Sequence, residues 1–334
     1  MSDLHFIVPE GIDDPGRPSG GNAYDRRVSG GLAAAGWRVH EHEASDESAL
    51  ANALSRIPDH ALVLVDGLVA SRAAEAFVHA AARVRLVALV HMPLGDEREA
   101  AFLSAAAAIV TTSAWGRRAL IELHSLPCDC VHVAEPGVDA AELASGTAGG
   151  GALLSVAAVT PGKGHDVLLD ALAMLNGLDW QCECVGSLHR DPVFVEDLRR
   201  RMADGRLHDR VRFSGPQSEG ELAGSYGAAD VLVLPTRAET YGMVVTEALA
   251  RGLPVVATHV GGVPETLGHG ADGVRPGLLV PSDNATALAE ALRAWLEDTG
   301  LRRRLRRAAR ERRESLPDWT MTTSALADVL ARAA

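Results

Sequence analysis

Hydrophobic and polar residues alternate along this chain with two different periods. Short runs rich in valine, isoleucine and leucine alternate with longer amphipathic runs rich in alanine and leucine. Such alternation is typical of βαβ units and parallel sheets. In the first half the pattern predicts strands at residues 4–9, 37–41, 62–66, 85–91, 107–112 and 129–134, and helices at residues 23–35, 47–56, 72–83, 97–105 and 114–123.

A stretch rich in glycine, alanine and serine at residues 140–151 interrupts this pattern, and its composition is typical of a flexible linker. After it the pattern predicts strands at 153–158, 181–186, 211–214, 231–235, 254–258 and 277–280, and helices at 166–175, 193–203, 218–226, 244–251 and 285–297. We therefore expect two Rossmann-like doubly wound α/β domains, residues 1–146 and 147–317, facing across a cleft with the linker as hinge. A final helical segment, 318–334, is expected to pack back on the first domain.

The composition fits a chain with ordinary hydrophobic cores. Hydrophobic residues make up 47% of the 334 residues, too many for intrinsic disorder. The net charge of −12 argues against a nucleic-acid partner, which requires a basic face. No apolar run reaches the roughly 18 residues that span a bilayer, and the first residues lack the pattern of a signal peptide. We expect a cytoplasmic protein.

Two groups of residues have a structural interpretation beside a functional one. Cys128 and Cys130, and Cys182 and Cys184, form two C-x-C pairs in runs predicted as strands, which favours strand packing over a zinc site. Residues 302–313 contain eight arginines, which favours a solvated helix face over contact with acidic lipid or phosphate. Membrane contact is therefore the less favoured interpretation of that segment.

Positive charge is carried almost entirely by arginine. Of the 32 basic residues, 31 are arginine and one, Lys163, is lysine. A compact ammonium group and a planar guanidinium are not interchangeable in binding. The position of this lysine, just after the first predicted strand of the second half, is therefore informative.

The most informative stretch is LPTRAETYGMVVTEALARGLPVVA at residues 234–257. A strand ends, a loop carries Glu239 and Gly242, and a helix is predicted to begin near Met243. The free backbone N–H groups of a helix start attract an anion such as phosphate, and Gly242 permits close backbone approach. Glu239 and Glu247 would lie about 12 Å apart if the span were helical. They are placed to hold two polar ends of an extended ligand.

Together with other motifs, this stretch resembles the donor-binding domain of the retaining family 4 glycosyltransferases (glycosyl transferases group 1), which have the GT-B fold. The similar blocks of the second half are E-x7-E, GGVPE at 261–265, GLLVPSD at 277–283 and SVAAVTPGKGHD at 155–166. The first half is similar more loosely, at GG (20–21), LVHMP (89–93), TS (112–113) and EPGVD (135–139). The resemblance implies transfer of a sugar from a nucleotide-diphosphate sugar, with UDP favoured over GDP.

The resemblance also implies a role for each matching residue. Glu247 would hold the ribose hydroxyls, Glu239 the hydroxyls of the donor sugar, and Lys163 the leaving diphosphate. His91 would lie near the reactive centre of the sugar. Backbone groups of Thr240, Tyr241, Gly242 and Met243 would contact the sugar and diphosphate, and Gly20 and Gly21 would let a loop of the first domain approach the phosphates.

One departure from the family pattern affects the diphosphate site. The family usually has an arginine where this chain has Ala158, and we expect Arg237 to compensate for it. A lysine and a helix start can stabilise the charge that builds on a leaving diphosphate. The chain has no D-x-D pair of the kind that holds a divalent metal in other sugar transferases. We therefore expect catalysis without a metal or other cofactor, and the resemblance implies retention of anomeric configuration.

Two other enzyme classes fit poorly. A dinucleotide-dependent dehydrogenase is disfavoured because Gly20 follows a long loop and the chain has no G-x-G-x-x-G. A glycoside hydrolase would need Glu239 and Glu247 to face one bond at about 5–9 Å. A nucleotide-sugar epimerase or hydrolase on the same fold, and a non-catalytic nucleotide-sugar-binding module, stay open. So do the acceptor, whether a small molecule or a glycan, and the oligomeric state.

Overall fold

The computed structural model describes residues 2–16 and 18–334, which form two compact units. Unit 1 contains the described residues of Met1–Asp14, Gly20–Gly137 and Pro317–Ala334, and unit 2 contains those of Pro15–Ser19 and Val138–Leu316. Each unit is built on one six-stranded parallel sheet. The expected α/β fold class is therefore confirmed.

Unit 1 alternates strands with helices. Its strands are β1 (Asp3–Pro9), β2 (Arg38–Ala44), β3 (Leu62–Asp66), β4 (Arg85–Val90), β5 (Ala108–Thr111) and β6 (Val131–Val133). Its helices are α1 (Gly20–Ala34), α2 (Glu47–Arg56), α3 (Gly67–Arg72), α4 (Ala74–Ala80), α5 (Glu97–Ala105), α6 (Ala114–His124) and, at the end of the chain, α14 (Trp319–Ala333). The strand order is β2-β1-β3-β4-β5-β6.

Unit 2 repeats this architecture. Its strands are β7 (Ala152–Val156), β8 (Gln181–Val185), β9 (Val211–Gly215), β10 (Val231–Leu234), β11 (Val255–Thr258) and β12 (Gly277–Val280). Its helices are α7 (His165–Ala173), α8 (Pro192–Asp204), α9 (Glu219–Ala228), α10 (Met243–Ala250), α11 (Val263–Leu267), α12 (Ala285–Glu297) and α13 (Thr299–Arg313), with a 3-10 turn at Pro161–Lys163. The strand order is β12-β11-β10-β7-β8-β9.

The strand order reverses once in each sheet. In unit 1 the chain moves from β1 to one side and then returns to β3, and in unit 2 it moves from β7 to one side and then returns to β10. Ligands of open parallel sheets bind at such switch points, outside the carboxyl ends of the strands. The loops after β1, β3, β7 and β10 are therefore the places where the fold positions a site.

The central strands are buried on both faces, which explains their unbroken apolar sequences. Every residue of β3, β5, β10 and β11 is buried. Buried side chains pack against these strands, and Phe77 and Phe102 in unit 1 and Trp180 and Trp295 in unit 2 are among the largest fully buried residues.

The helix that the sequence pattern predicts over 72–83 is shorter, as α4, and is preceded by a further helix, α3, that the pattern misses. Asp66 ends β3, and its side chain accepts hydrogen bonds from the backbone N–H groups of Leu68 and Val69, so a helix begins at Gly67. Two short helices, α3 and α4, follow. The pattern also misses α11, because five residues are too few for a helical period to appear.

The segment predicted as a flexible linker is bonded to unit 2. The backbone N–H of Ala144 donates to the Arg251 carbonyl at 2.9 Å, and that of Thr147 donates to the buried Asp230 carboxylate at 2.9 Å. The units divide after Gly137 rather than after residue 146. The structure therefore does not support residues 140–151 as a hinge.

The C-terminal helix α14 belongs to unit 1, where it packs against α1. The rings of Tyr24 and Trp319 meet edge to face, with centroids 6.0 Å apart. This contact extends the core of unit 1 with residues from the far end of the chain. None of the helices within residues 2–16 and 18–334 combines the length and apolar character needed to cross a membrane.

The cysteine pairs differ from each other. Cys182 and Cys184 are buried in β8, as strand packing requires. Cys128 and Cys130 precede β6, which begins at Val131, so their predicted place in a strand is wrong. Cys128 is exposed.

The arginines of α13 are not a uniform solvated face. Arg302 is buried and donates to the carbonyl oxygens of Trp295 and Leu296, and Arg306 donates to Asp230. These side chains fix α13 to the rest of unit 2. The exposed arginines of the helix are Arg303, Arg304, Arg307 and Arg310.

Candidate functional site

The loop between β10 and α10 holds Glu239 against Lys163. The Lys163 Nζ lies 2.7 Å from Glu239 Oε2, and the side chains are 33% and 19% exposed. Lys163 ends the 3-10 turn after β7, so the contact joins the two strands of the switch point in unit 2. The structure thus brings together two of the predicted site residues, 76 positions apart in the chain.

Close backbone contacts fix these two loops to each other. Gly164 has φ +71°, and a Cβ there would lie 2.0 Å from the Pro235 carbonyl oxygen. The N–H of Arg237 donates to the Gly162 carbonyl at 2.9 Å. Only glycine fits position 164, because it combines a left-handed backbone with direct contact to another chain segment. The glycine at position 164 of the GKG sequence therefore allows the two loops to lie in direct contact.

A third loop supports Glu239 from the other side. The N–H of Gly262 donates to the Glu239 carbonyl at 2.9 Å, and the Thr266 hydroxyl donates to the Tyr241 carbonyl at 2.7 Å. Gly242 caps α10 with φ +87°, which directs the backbone into the helix at Met243. The predicted helix start is thus confirmed, while residues 239–242 are loop. The estimate of about 12 Å between the two glutamates, which assumes a continuous helix, does not apply.

Thr240 lies inside this loop rather than on its surface. The residue is buried, and its hydroxyl has no hydrogen-bond partner among the described residues. Tyr241 is buried as well, whereas Met243 is half-buried. Any ligand contact from Thr240 or Tyr241 would therefore come from the backbone, as the sequence predicts.

Arg237 is occupied by the protein itself. Its Nη1 and Nη2 lie 3.0 and 2.8 Å from the two oxygens of Asp166, and its Nε lies 2.6 Å from Asp283 Oδ1. A further bond joins Nη1 to the Pro161 carbonyl. The hydrogen bond to Asp166 and the one to Asp283 raise the pKa of Arg237 further. These contacts disfavour the expectation that Arg237 replaces the family arginine missing at Ala158, because four of its five N–H groups are already used.

The neighbouring His165 does not supply the missing charge either. It is fully buried at the start of α7, and burial lowers its pKa to about 4. The ring is therefore neutral at pH 7. Lys163 carries the positive charge of the GKGHD segment.

Glu247 lies on α10 with a partner that the sequence does not reveal. The Tyr226 hydroxyl, from α9, donates to Glu247 Oε2 at 2.8 Å. Arg251 stacks on the Tyr226 ring, with its guanidinium carbon 4.7 Å from the ring centroid. Burial raises the pKa of Glu247, although the Tyr226 hydrogen bond and Arg251 lower it in part. Tyr226 therefore orients the carboxylate of Glu247.

Unit 1 carries a second cluster at its own switch point. His91 follows β4, and its Nε2 lies 2.8 Å from Asp25 Oδ1 and 3.4 Å from Asp66 Oδ2. Helix α1 begins at Gly20, and a Cβ on Gly21 would lie 3.2 Å from the His91 ring. Gly20 and Gly21 therefore open a helix beside His91 rather than form a turn before it. Asp25 and Asp66 match no motif, and only the tertiary fold brings them to His91.

The charges of this cluster depend on one another. Burial lowers the pKa of His91, but the carboxylates of Asp25 and Asp66 more than offset it, so the pKa is raised. Burial and the nearby Asp25 charge raise the pKa of Asp66 to about 6. Burial likewise raises the pKa of Asp25. The nearby charge of Arg26 lowers this pKa and that of Glu41 raises it.

Among the described residues, the same three side chains form a group that could hold a metal ion, since one ligand atom from each lies within 4.8 Å of the other two. One Asp66 oxygen is already used by the N–H groups of Leu68 and Val69, at 2.8 and 3.1 Å. The inner nitrogen of His91 is bonded to Asp25. Hydrogen bonding and ion pairing therefore account for the arrangement of these groups.

The loop after His91 is fixed by a buried carboxylate. Glu99 Oε2 accepts hydrogen bonds from the N–H groups of Leu94 and Gly95 at 2.8 and 2.6 Å. His124 Nε2 lies 2.7 Å from the same oxygen, and both side chains are almost fully buried. The sequence pattern gives no sign of this pair, which joins α5, α6 and the loop that follows His91.

Comparisons with known proteins agree with this architecture. The family model described as glycosyl transferases group 1 matches residues 148–312. The D-inositol 3-phosphate glycosyltransferase of Pseudarthrobacter chlorophenolicus is 31% identical over 69% of this chain and 56% of its own length. Curated relatives of this kind are longer, and the chain spans about half the length of the first two.

Solved structures match over nearly the whole chain. Sucrose-phosphate synthase from Thermosynechococcus elongatus aligns with a TM-score of 0.84 at 21% identity, over 99% of both chains. HepE from Anabaena, solved in complex with UDP-glucose, aligns with a TM-score of 0.81 at 19% identity, over 99% of this chain and all of the other. The expected GT-B fold is confirmed. By its sequence over residues 148–312, this chain belongs to the glycosyl transferases group 1 family.

Proposed function

We propose that this protein is a retaining glycosyltransferase that moves a sugar from a nucleoside-diphosphate donor to an acceptor hydroxyl without a metal cofactor. A UDP-sugar is the favoured donor. The single observation that carries the proposal is the 2.7 Å contact between Lys163 and Glu239 at the start of α10. It places a cation, a carboxylate and a helix N-terminus together in the loops after β7 and β10.

These groups match the chemistry of a departing diphosphate. Negative charge builds on the phosphate oxygens as the glycosidic bond breaks, and an ammonium group with free helix N–H groups stabilises it in the transition state. The Glu239 carboxylate accepts hydrogen bonds, so it can hold sugar hydroxyls. Its ion pair with Lys163 orients that ammonium group before the donor binds.

Glu247 provides a second anchor for the donor. Its carboxylate is oriented by Tyr226 at 2.8 Å and can accept bonds from a vicinal diol such as that of ribose. Support for a uridine nucleotide comes from the similar fold of HepE, which was solved with UDP-glucose. We therefore place the ribose at Glu247 and the sugar at Glu239.

The acceptor is proposed to bind to unit 1, on the side of His91. The curated relatives are named for D-inositol 3-phosphate, so this compound is the first acceptor to assay. A cytoplasmic location and the absence of a metal requirement stay predictions. The second is tested by adding a chelator to the transfer assay.

The donor assignment is tested by thermal shift with UDP-, GDP- and ADP-sugars. A ligand that binds only the folded state stabilises it by RT ln(1 + L/Kd), where L is the free ligand concentration, and so raises Tm. We expect UDP-sugars to raise Tm and Lys163→Met to reduce the rise. Equal Tm with and without every nucleotide sugar would overturn the donor assignment.

The reaction itself is tested by following the donor with and without acceptor. Transfer with the anomeric configuration retained, read from the proton coupling of the product, supports the proposal. Rapid epimerisation or hydrolysis without acceptor assigns the protein to those activities instead. Donor binding without any turnover assigns a binding module.

A further inference from the structure

His91 has an inner and an outer nitrogen, and only the inner one is held by the protein. Nε2 faces Asp25 and Asp66, whose side chains are 0% and 2% exposed, while the His91 side chain is 13% exposed. Within residues 2–16 and 18–334, no hydrogen bond is made to Nδ1, nor is that atom among the buried polar atoms without a partner. Nδ1 therefore lies on the accessible edge of the ring.

The two carboxylates that face Nε2 determine which nitrogen of the His91 ring carries the proton. Ionised carboxylates only accept hydrogen bonds, so a bare lone pair on Nε2 would repel both oxygens. A proton on Nε2 instead satisfies Asp25 Oδ1 at 2.8 Å. The hydrogen bond made by one ring nitrogen decides the state of the other.

The carboxylates themselves are rigidly placed. Asp66 caps α3 through two backbone N–H groups, which directs its other oxygen towards His91. Asp25 is buried in α1, and its Oδ2 has no hydrogen-bond partner among the described residues. Tyr24 packs edge to face on the ring, with centroids 5.2 Å apart. His91 has therefore little freedom to turn.

We infer that Asp25 and Asp66 are positioning residues, which together keep a proton on Nε2 of His91 and present Nδ1 to the substrate. This inference rests on the proposed function for its substrate, a sugar donor or acceptor, and goes beyond it in assigning two residues outside every motif. Nδ1 then contacts a substrate hydroxyl, as an acceptor when the ring is neutral and as a donor when it is charged.

The position of the proton is measured directly, without substrate. The full chain is labelled with 15N-histidine, and two-bond 1H–15N correlations separate protonated from unprotonated ring nitrogens. The His91 signals are those lost in His91→Asn. We expect a proton on Nε2 from about pH 6 to pH 9. A neutral ring with its proton on Nδ1 would overturn the inference.

Removing the carboxylate charges should release the proton. Asp66→Asn keeps a side-chain oxygen for the α3 cap, so this variant is expected to fold. In Asp25→Asn with Asp66→Asn we expect signals of both His91 tautomers. An unchanged single tautomer would show that the carboxylates do not set it. Asp46→Asn, which removes the matching cap charge of α2, is the control and should leave the signals unchanged.

Kinetics distinguish positioning from simple stabilisation of the fold. We expect Asp25→Asn to lower kcat about 10- to 100-fold, the loss of one charged hydrogen bond, with the donor KM little changed. In a His91→Asn background the same substitution should cost nothing further, since it acts through His91. Equal losses in both backgrounds would overturn the positioning role. A wild-type protein without transferase activity would refute the proposed function, while the NMR result would still decide the proton's position.

Discussion

The ammonium group of Lys163 lies 2.7 Å from the carboxylate of Glu239, and each comes from a loop at the switch point of the same sheet. The pair is partly exposed, so a ligand can reach both members. Neither charge is isolated in the unliganded protein. A donor with a diphosphate and sugar hydroxyls offers new partners to both groups at once.

Replacing this lysine with arginine tests whether the ammonium itself is required. A planar guanidinium cannot reproduce a compact point charge at the end of a 3-10 turn. We expect Lys163→Arg to lower kcat about 100-fold, with Tm unchanged, because charge stabilisation at a leaving group is worth that much. Steady-state kinetics with a UDP-sugar provide the measurement. Wild-type turnover would mean that the scarcity of lysine here has no functional cause.

Tyr226 should act on nucleotide binding through Glu247. Tyr226→Phe removes a single hydroxyl and its 2.8 Å hydrogen bond. We expect the Kd for UDP to rise about tenfold and the free energy of unfolding to fall by about 1 kcal/mol. Isothermal calorimetry and urea denaturation measure the two effects. Unchanged UDP affinity would argue that Glu247 does not hold the nucleotide.

Arg237 should stabilise the fold rather than bind the diphosphate directly. Its bonds to Asp166 and Asp283 join the loop after β10 to the start of α7 and to the loop after β12. We expect Arg237→Ala and Asp166→Ala each to lower Tm, and the double variant to be no less stable than the worse single variant, because both remove the same interaction. Thermal unfolding with and without UDP provides the test. Loss of UDP affinity at unchanged Tm would restore Arg237 as a phosphate ligand.

The buried Glu99 should stabilise the protein by holding the loop after His91 in place. Glu99→Gln leaves the shape intact but removes the charge that two N–H groups and His124 share. We expect about 2 kcal/mol less stability, since hydrogen bonds to a buried charge are worth about that much. Chemical denaturation measures it, and Glu97→Gln on the exposed face of the same helix is the matched control. Equal stability of the two variants would contradict the role of Glu99.

Asp66 should make stability depend on pH in a defined direction. Its pKa is raised to about 6 from 3.8, so the folded protein binds the proton of this carboxyl group more tightly than the unfolded chain does. The protonated group therefore stabilises the fold fully below about pH 4, and this stabilisation is lost as the pH rises towards 6. The shift corresponds to at most about 3 kcal/mol. We expect Asp66→Asn, which cannot ionise, to gain stability relative to wild type between about pH 4 and pH 7. Urea unfolding at both ends of that range decides it, and a constant difference would contradict the raised pKa.

Much of the fold follows from local pattern. The strands at Leu62–Asp66 and Gly277–Val280 and the helices at Glu47–Arg56 and Ala285–Glu297 have the predicted bounds. Buried parallel strands and amphipathic helices leave clear periods in a sequence. Very short helices do not, and α11 is missed for that reason. The predicted hinge is not supported for a different reason: composition cannot show that residues 144–147 bond to distant backbone and to Asp230.

The sequence by itself determined the two α/β units, the loop that carries Glu239 and Gly242, and the presence of one lysine in the GKG turn. These features depend on residues that are close together in the chain. Only the tertiary structure decided which side chains meet: Lys163 with Glu239, Tyr226 with Glu247, and Asp25 and Asp66 with His91. Such contacts join segments that parallel sheets bring together through long crossovers, so no local period encodes them. Arg237 likewise meets its partners Asp166 and Asp283, 71 and 46 positions away, only in the tertiary structure.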